Sequence, residues 1–286
     1  MRTHVVIPDT QIKPGVPMEH LGWIGQYIVD KQPDVVVHIG DHADMPSLSS
    51  YDRGKRDFEG RRVKEDLAAA HRGMRILTKP IEDFNARKRK LKEKQYKPRM
   101  VITLGNHEER IARAINDDAK LDGILLLDDL EYEKYGWEVV EFTKPIEIDG
   151  VHYAHYFYNP KTGRPFGGES IDTRIKNIGF TFTMGHQQGY KSGIRELNNG
   201  KIIRGLIAGS CYLHDEDYIG PQGNGHWRGI IWKNEVQDGR YDLMEISLDY
   251  LCRRYEGVPV HKFMKKNYRE IFDNSPWLQR MAQRMK

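Results

Sequence analysis

Short apolar runs recur along the first two-thirds of the chain and are separated by stretches of mixed polarity. His4–Ile7, Val35–Ile39, Met100–Leu104, Val151–His155, Phe180–Met184 and Ile202–Ala208 are rich in β-branched residues, with few polar interruptions. That pattern predicts strands buried on both faces rather than one. Between the early runs the apolar positions fall at helical spacing. Leu21, Ile24, Ile28 and Val29 line one face of a helix over His20–Lys31, and Val63, Leu67, Met74 and Leu77 line one over Arg61–Thr78. Strand alternating with helix predicts an α/β fold. Further on the strands crowd together. Ile230–Trp232 and Arg240–Ser247 read as a β pair around the turn residues Gln237-Asp238-Gly239, so a mixed sheet or two packed sheets is expected.

The residues after each strand are more informative than the strands. Asp9-Thr10-Gln11 follows the first, Gly40-Asp41-His42-Ala43-Asp44 the second and Gly105-Asn106-His107-Glu108 the third. His155 ends the fourth, and Gly185-His186-Gln187-Gln188 follows the fifth. Any one of these has a plain structural explanation: Gly105 can turn the chain, Asn106 can cap, and Glu108-Glu109 suit a helix N-terminus. Five strand ends bearing Asp, Asn, His or Gln point instead to one site, because sites in open α/β sheets gather at the carboxyl ends of strands. Carboxylate, amide oxygen and imidazole without thiolate suit Mn²⁺, Fe or Zn²⁺ and tolerate Mg²⁺. An Asp shared by two ions would hold them about 3.5–4 Å apart, the arrangement used for phosphoryl transfer. His152 competes with His155 on the same strand. The two point to opposite faces, and His155 is preferred because it lies nearer the carboxyl end.

Composition narrows the context. A 286-residue chain that is 38% hydrophobic can bury one sizeable core. Its formal net charge of +4 permits a polyanionic partner without requiring one. The two cysteines, Cys211 and Cys252, form no CxxC pattern, which argues against a disulfide framework or structural zinc. No apolar run is long enough to span a bilayer, and the N-terminus lacks the pattern of a signal peptide, so a cytoplasmic protein with no membrane partner is expected. Residues 1–250 are expected to form the main domain, with a basic helical insertion around 56–99. Residues 251–286 form a basic helical tail. In the tail, Ser275 is placed to cap a helix begun by Pro276, with Trp277, Leu278, Met281 and Met285 on one face. That face is expected to pack on the body.

Taken together, Asp9-Thr10-Gln11, Gly40-Asp41-x-x-Asp44, Gly105-Asn106-His107-Glu108, His155 and Gly185-His186-x-Gln188 resemble the signature of the calcineurin-like metallophosphoesterases. The resemblance covers about residues 3–215, and the layout is similar to phage-encoded members. It implies a four-layer αββα sandwich, two mixed β-sheets flanked by helices, with a dinuclear metal site at one edge. By position, Asp41 would bridge two divalent ions, most simply Mn²⁺. Asn106, His155 and His186 would complete the second site, while Asp9, with Gln11 and Gln188, would belong to the first. His107 would face the leaving group, oriented by Asp44, and hydroxide would attack phosphorus in line. The family has histidine where this chain has Gln11 and Gln188, so a weak first site is expected. Asp44 is followed by Met45-Pro46, unlike the protein phosphatase branch, and the later Asp52-Arg53-Gly54 has the wrong spacing.

Substrate class rests on the rim. The basic run 85–99 and the loops 159–168 and 223–229 carry Lys161, Arg164, Trp227 and Arg228, suited to phosphate or a stacked base. With Asn106 these are the expected substrate contacts. A phosphodiesterase or nuclease acting on nucleic acid or nucleotides is the leading expectation, with DNA or RNA as partner. A phosphomonoesterase acting on protein or nucleotide, or a catalytically silent metal-binding interaction protein, stays open.

Overall fold

The structure is a computed structural model that describes residues 1–52, 54 and 56–284. Its strands are β1 Arg2–Ile7, β2 Val35–His38, β3 Arg99–Thr103, β4 Glu138–Val140, β5 Ile146–Ile148, β6 Val151–Ala154, β7 Tyr158–Asn159, β8 Arg164–Pro165, β9 Phe182–Met184, β10 Lys191–Glu196, β11 Ile202–Ile207, β12 Gly229–Gln237 and β13 Arg240–Ser247. A six-stranded sheet has the order β13-β12-β1-β2-β3-β4, and a five-stranded sheet has the order β10-β11-β9-β6-β5. β1 to β4 run parallel, while β12 joins them antiparallel. In the second sheet β6, β9 and β11 run parallel. Both sheets are therefore mixed, and each has parallel strands at its centre.

The uninterrupted apolar strands are explained by layering. Val36 faces the helices, whereas Val35 and Val37 face the second sheet. Between the sheets, Val6, Ile39 and Val101 meet Val151, Tyr153 and Leu206. On the outer side of the first sheet lie the helices α1 Glu19–Lys31 and α2 Val63–Lys90, and helix α3 Arg110–Asp117 follows β3. On the outer side of the second sheet, Ile175 and Ile178 of α4 Ile171–Ile178 cover Phe182, Ile203 and Ile207. The result is a helix–sheet–sheet–helix sandwich.

Several elements depart from the sequence pattern. α2 does not stop before Lys79-Pro80 but runs to Lys90, because Pro80 forfeits a single backbone bond and its ring lies against Gly25 of α1. β10 has no apolar alternation. It is an edge strand bearing Lys191, Arg195 and Glu196, which also blunts the edge against further pairing. β4 and β5 have three residues each, too few to show a period. The basic run 85–99 is the end of α2 and its connection to β3, folded back by Asn85, whose amide exchanges hydrogen bonds with the Tyr96 backbone. Against expectation it does not rim a site at the strand carboxyl ends, because it lies beside Pro33 and Asp34 at the amino ends of the parallel strands.

The tail forms helices Leu248–Glu256, Val260–Asn267, Arg269–Asn274 and Pro276–Arg284. Ser275 Oγ accepts from Leu278 N at 3.2 Å, the N-cap bond, and Trp277 and Leu278 are buried in the main core. Met285 and Arg53 lie outside the described residues. Among the described residues no helix is long and apolar enough to cross a membrane.

The α1–α2 contact is tight enough to test. A Cβ added at Gly25 would lie 2.3 Å from the Leu77 carbonyl oxygen. Gly25→Ala must push the helices apart, so a loss of about 1–3 kcal/mol is expected from urea denaturation, despite alanine's better helix propensity. An unchanged midpoint would show that the helix pair yields freely.

Candidate metal centre

The parallel strands bring their carboxyl ends to one edge of the sandwich. Asp9 follows β1, Asp41 follows β2, and Asn106 and His107 follow β3. From the facing sheet, His155 follows β6 and His186 follows β9. Ser210, beyond β11, pairs with Asp9 on one side and Arg228 on the other, which ties the two sheets together at this edge. The backbone is strained here. Gln11, Asp41, Met45 and His186 all have positive φ, between 45° and 64°.

Asp41, His155 and His186 each present a ligand atom within 4.8 Å of the others. Asn106 Oδ1 lies 3.0 Å from His155 Nε2 and 2.7 Å from His186 Nδ1, so an amide oxygen joins the set. His155 Nδ1 donates to the Ile39 carbonyl at 2.9 Å, which aims Nε2 at Asp41 Oδ2, 3.2 Å away. A backbone carbonyl orienting the far nitrogen of an imidazole is how ligating histidines are usually held. Carboxylate, amide oxygen and two imidazoles fit a hard-to-borderline divalent ion such as Mn²⁺, Fe²⁺ or Zn²⁺. At Gly105 an added Cβ would lie 2.1 Å from Asp41 Oδ1, so only glycine lets this carboxylate sit where it does.

Beside these residues lies an acid–base pair. His107 Nδ1 is 2.6 Å from Asp44 Oδ1, and its Nε2 is 3.8 Å from Asp41 Oδ2. Asp44 is gripped from behind by Arg110, which donates to its carbonyl at 2.7 Å, and by Lys13 at 3.1 Å. Lys13 also pairs with Glu216 at 2.8 Å, and Glu216 Oε1 lies 2.6 Å from His214 Nε2. Burial opposes charge on Asp44, but Lys13, His107 and Arg110 outweigh it and hold the carboxyl well below the usual range. Burial likewise opposes charge on His107, yet Asp41 and Asp44 raise its pKa. For His155 burial is again overcome, by Asp41 and Asp9, which bring it up to about 9. Asp9 behaves oppositely: burial drives it up to about 7 despite the pull of His155.

No protein-family model matches the sequence. The Gene 54 protein of Mycobacterium phage L5 is 47% identical over 62 residues, which is 22% of this chain and 24% of that protein. The Gene 54 protein of Mycobacterium phage D29 is 45% identical over 66 residues, 23% of this chain and 26% of that one. The matched stretch thus spans about a quarter of the curated relatives. Among solved structures, that of YfcE, described as a phosphoesterase from E. coli, covers 86% of this chain and 99% of its own at 12% identity, with a TM-score of 0.34. That score is too low for the likeness to bear on the fold or activity of this chain.

The expected first-site residues are brought together. Asp9 accepts from the His186 backbone N–H at 3.1 Å and from Gln188 Nε2 at 3.4 Å. Gln11 Nε2 donates to the Tyr218 hydroxyl at 3.0 Å. Arg228, expected to contact substrate, turns inward. It is buried, donates to Asp215 at 2.5 Å and to the carbonyls of Tyr212 and His214, and lies between the rings of Tyr212 and Trp277 at 4.5 and 4.2 Å. Its charge is fully used inside the protein, because a buried guanidinium needs its partners. Trp227 is half-buried against Tyr190. Arg164 is exposed on the β7–β8 hairpin. His152 stacks on Phe180, away from the centre.

Sequence reasoning missed Lys13, Arg110, Glu216 and Tyr218, and above all the role of Glu108. The Glu108 carboxylate accepts four backbone N–H bonds, from Asp41 at 3.0, His42 at 2.7, Ala43 at 3.0 and Gly105 at 2.8 Å, and a fifth from the Tyr132 hydroxyl. Glu108→Ala would leave these donors buried without an acceptor. At about 1–3 kcal/mol for each unsatisfied group, a loss of at least about 3 kcal/mol is expected in urea denaturation. A loss below about 1 kcal/mol would mean that water replaces the carboxylate.

Proposed function

We propose that the chain is a metal-dependent phosphoesterase that hydrolyses phosphodiesters of nucleic acid or nucleotides. The observation that carries this reading is the meeting of Asp41, Asn106, His155 and His186 with the His107–Asp44 pair at one cleft. A metal site alone would serve a binding protein; a buried, oriented imidazole beside it is the equipment of proton transfer.

Bound at this set, a divalent ion would polarise a phosphoryl oxygen and lower the pKa of water. The protein supplies the rest. Asp44 fixes the His107 ring through Nδ1, and Nε2, 3.4 Å from Arg110 Nη2 in the resting site, would give its proton to the departing oxygen. The Asp41 and Asp44 carboxylates favour the protonated ring that this step requires. Arg110 and Lys13 keep Asp44 ionised, so it remains an acceptor. A cavity of about 660 Å³ adjoins this side, lined by Lys13, Asp44, Arg110, Glu216 and Tyr218 among others, and gives a leaving group room. The choice of a diester rests on Arg164, exposed on the hairpin that follows His155 and suited to a continuing phosphate chain.

Purified protein should hydrolyse bis-p-nitrophenyl phosphate with Mn²⁺, and EDTA should abolish the activity. Single- and double-stranded DNA, RNA and p-nitrophenyl phosphate, assayed in parallel, separate diesterase from monoesterase. Absence of turnover on all of them with Mn²⁺, Mg²⁺, Zn²⁺ or Fe²⁺ would leave a metal-binding protein without hydrolytic function. Asp41→Ala should lose bound metal. His107→Ala should keep it and lose about 10²–10⁴-fold in rate. Metal loss in His107→Ala, measured by equilibrium dialysis, would contradict its assignment to proton transfer.

A further inference from the structure

Next to the four-residue metal set lies a cluster of neutral donors that the proposed mechanism leaves unused. Gln11 and Gln188 both turn their amides to one hydroxyl, that of Tyr218. Gln11 Nε2 lies 3.0 Å from it and Gln188 Nε2 3.3 Å. The Gln188 amide also donates to Asp9, whose other donor is the His186 backbone N–H. Asp9 is fully buried, and its carboxylate is thus met by N–H groups. Such a surround does not fit a second cation. Two N–H groups, at 3.1 and 3.4 Å, face Asp9 where a cation would be met by oxygen donors, and Gln11, with both amide atoms within 3.3 Å of the Tyr218 hydroxyl, is engaged elsewhere.

The same surround fits an anion. Tyr218 is 56% exposed, yet its hydroxyl reaches into the cleft and lines the cavity shared with Lys13 and Arg110. N–H and O–H donors are the usual grip on phosphoryl oxygens. Lys13 and Arg110 on the same cavity wall are already paired with Asp44 and Glu216, so the grip falls to Gln11, Gln188 and Tyr218. Gln188 Oε1 is buried and has no partner, which leaves one acceptor free for a hydroxyl of the bound ligand.

We infer that Gln11, Gln188 and Tyr218 form a phosphoryl-oxygen subsite in place of a second metal, so that the chain carries one resident divalent ion and Tyr218 is a substrate-contacting residue. This rests on the phosphoesterase reading for its ligand class, but its test does not use turnover.

Protein saturated with Mn²⁺ and freed of excess should retain one ion per chain by elemental analysis. Gln11→His combined with Gln188→His should retain two, because imidazole supplies the missing ligands. Inorganic phosphate titrated calorimetrically into the Mn²⁺-loaded protein should bind about tenfold more weakly to Tyr218→Phe, with Mn²⁺ affinity unchanged within about twofold. Two ions in the wild-type chain would overturn the inference, since the Gln188 amide would then present Oε1 to a metal. Phosphate affinity unchanged in Tyr218→Phe would overturn it equally. One ion and Tyr218-dependent phosphate binding, without hydrolysis of any phosphoester, would uphold the subsite and contradict the proposed activity.

Discussion

The site depends on one buried carboxylate. Glu108 gathers the N–H groups of Asp41, His42, Ala43 and Gly105, which belong to the loops after two adjacent strands. Those loops carry Asp41 and Asp44 on one side, Asn106 and His107 on the other. A second bond locks the pair, from His107 N to Asp41 Oδ1 at 2.9 Å. Backbone donors held this way cannot drift, so the metal-set atoms stay in place although their chain positions are far apart. The positive φ of Asp41 and the tight approach of Gly105 are the cost of this arrangement, and the Glu108 bonds are what offsets it.

The far side of the cleft is buttressed differently. Arg228 holds the segment 212–224 by its carbonyls and by Asp215, and Asp215 also accepts from Ser275 Oγ at 2.8 Å. Trp277, from the last described helix, covers the guanidinium. The C-terminal helices therefore brace the segment that delivers Glu216 to Lys13 and Tyr218 to the glutamines. The tail is part of the site's support as well as of the core.

Much of this was legible in the sequence, for definite reasons. Parallel strands buried on both faces give unbroken apolar runs, so β1, β2, β3, β6, β9 and β11 stood out, and the polar residues at their ends marked the edge where they meet. What was not legible was whatever depends on tertiary partners. β10 lacks an apolar face because it is an exposed edge. α2 outlasts Pro80 because the ring has Gly25 to lie against. Glu108 resembles an ordinary helix-start acid until its four N–H donors are seen. Arg228, in a glycine-rich loop beside a tryptophan, has the look of a substrate contact, and only burial reveals that its charge is spent internally. Tyr218 lies in a loop whose local sequence says nothing of its reach to Gln11.

Anomalous diffraction at the manganese edge, from crystals grown with Mn²⁺, tests most directly whether the strand-end residues form a divalent metal centre pre-set by Glu108. The account predicts a strong peak bounded by Asp41, Asn106, His155 and His186, with Glu108 still bonded to both loops. A peak elsewhere, or none at these four residues in crystals that bind the ion, would contradict it.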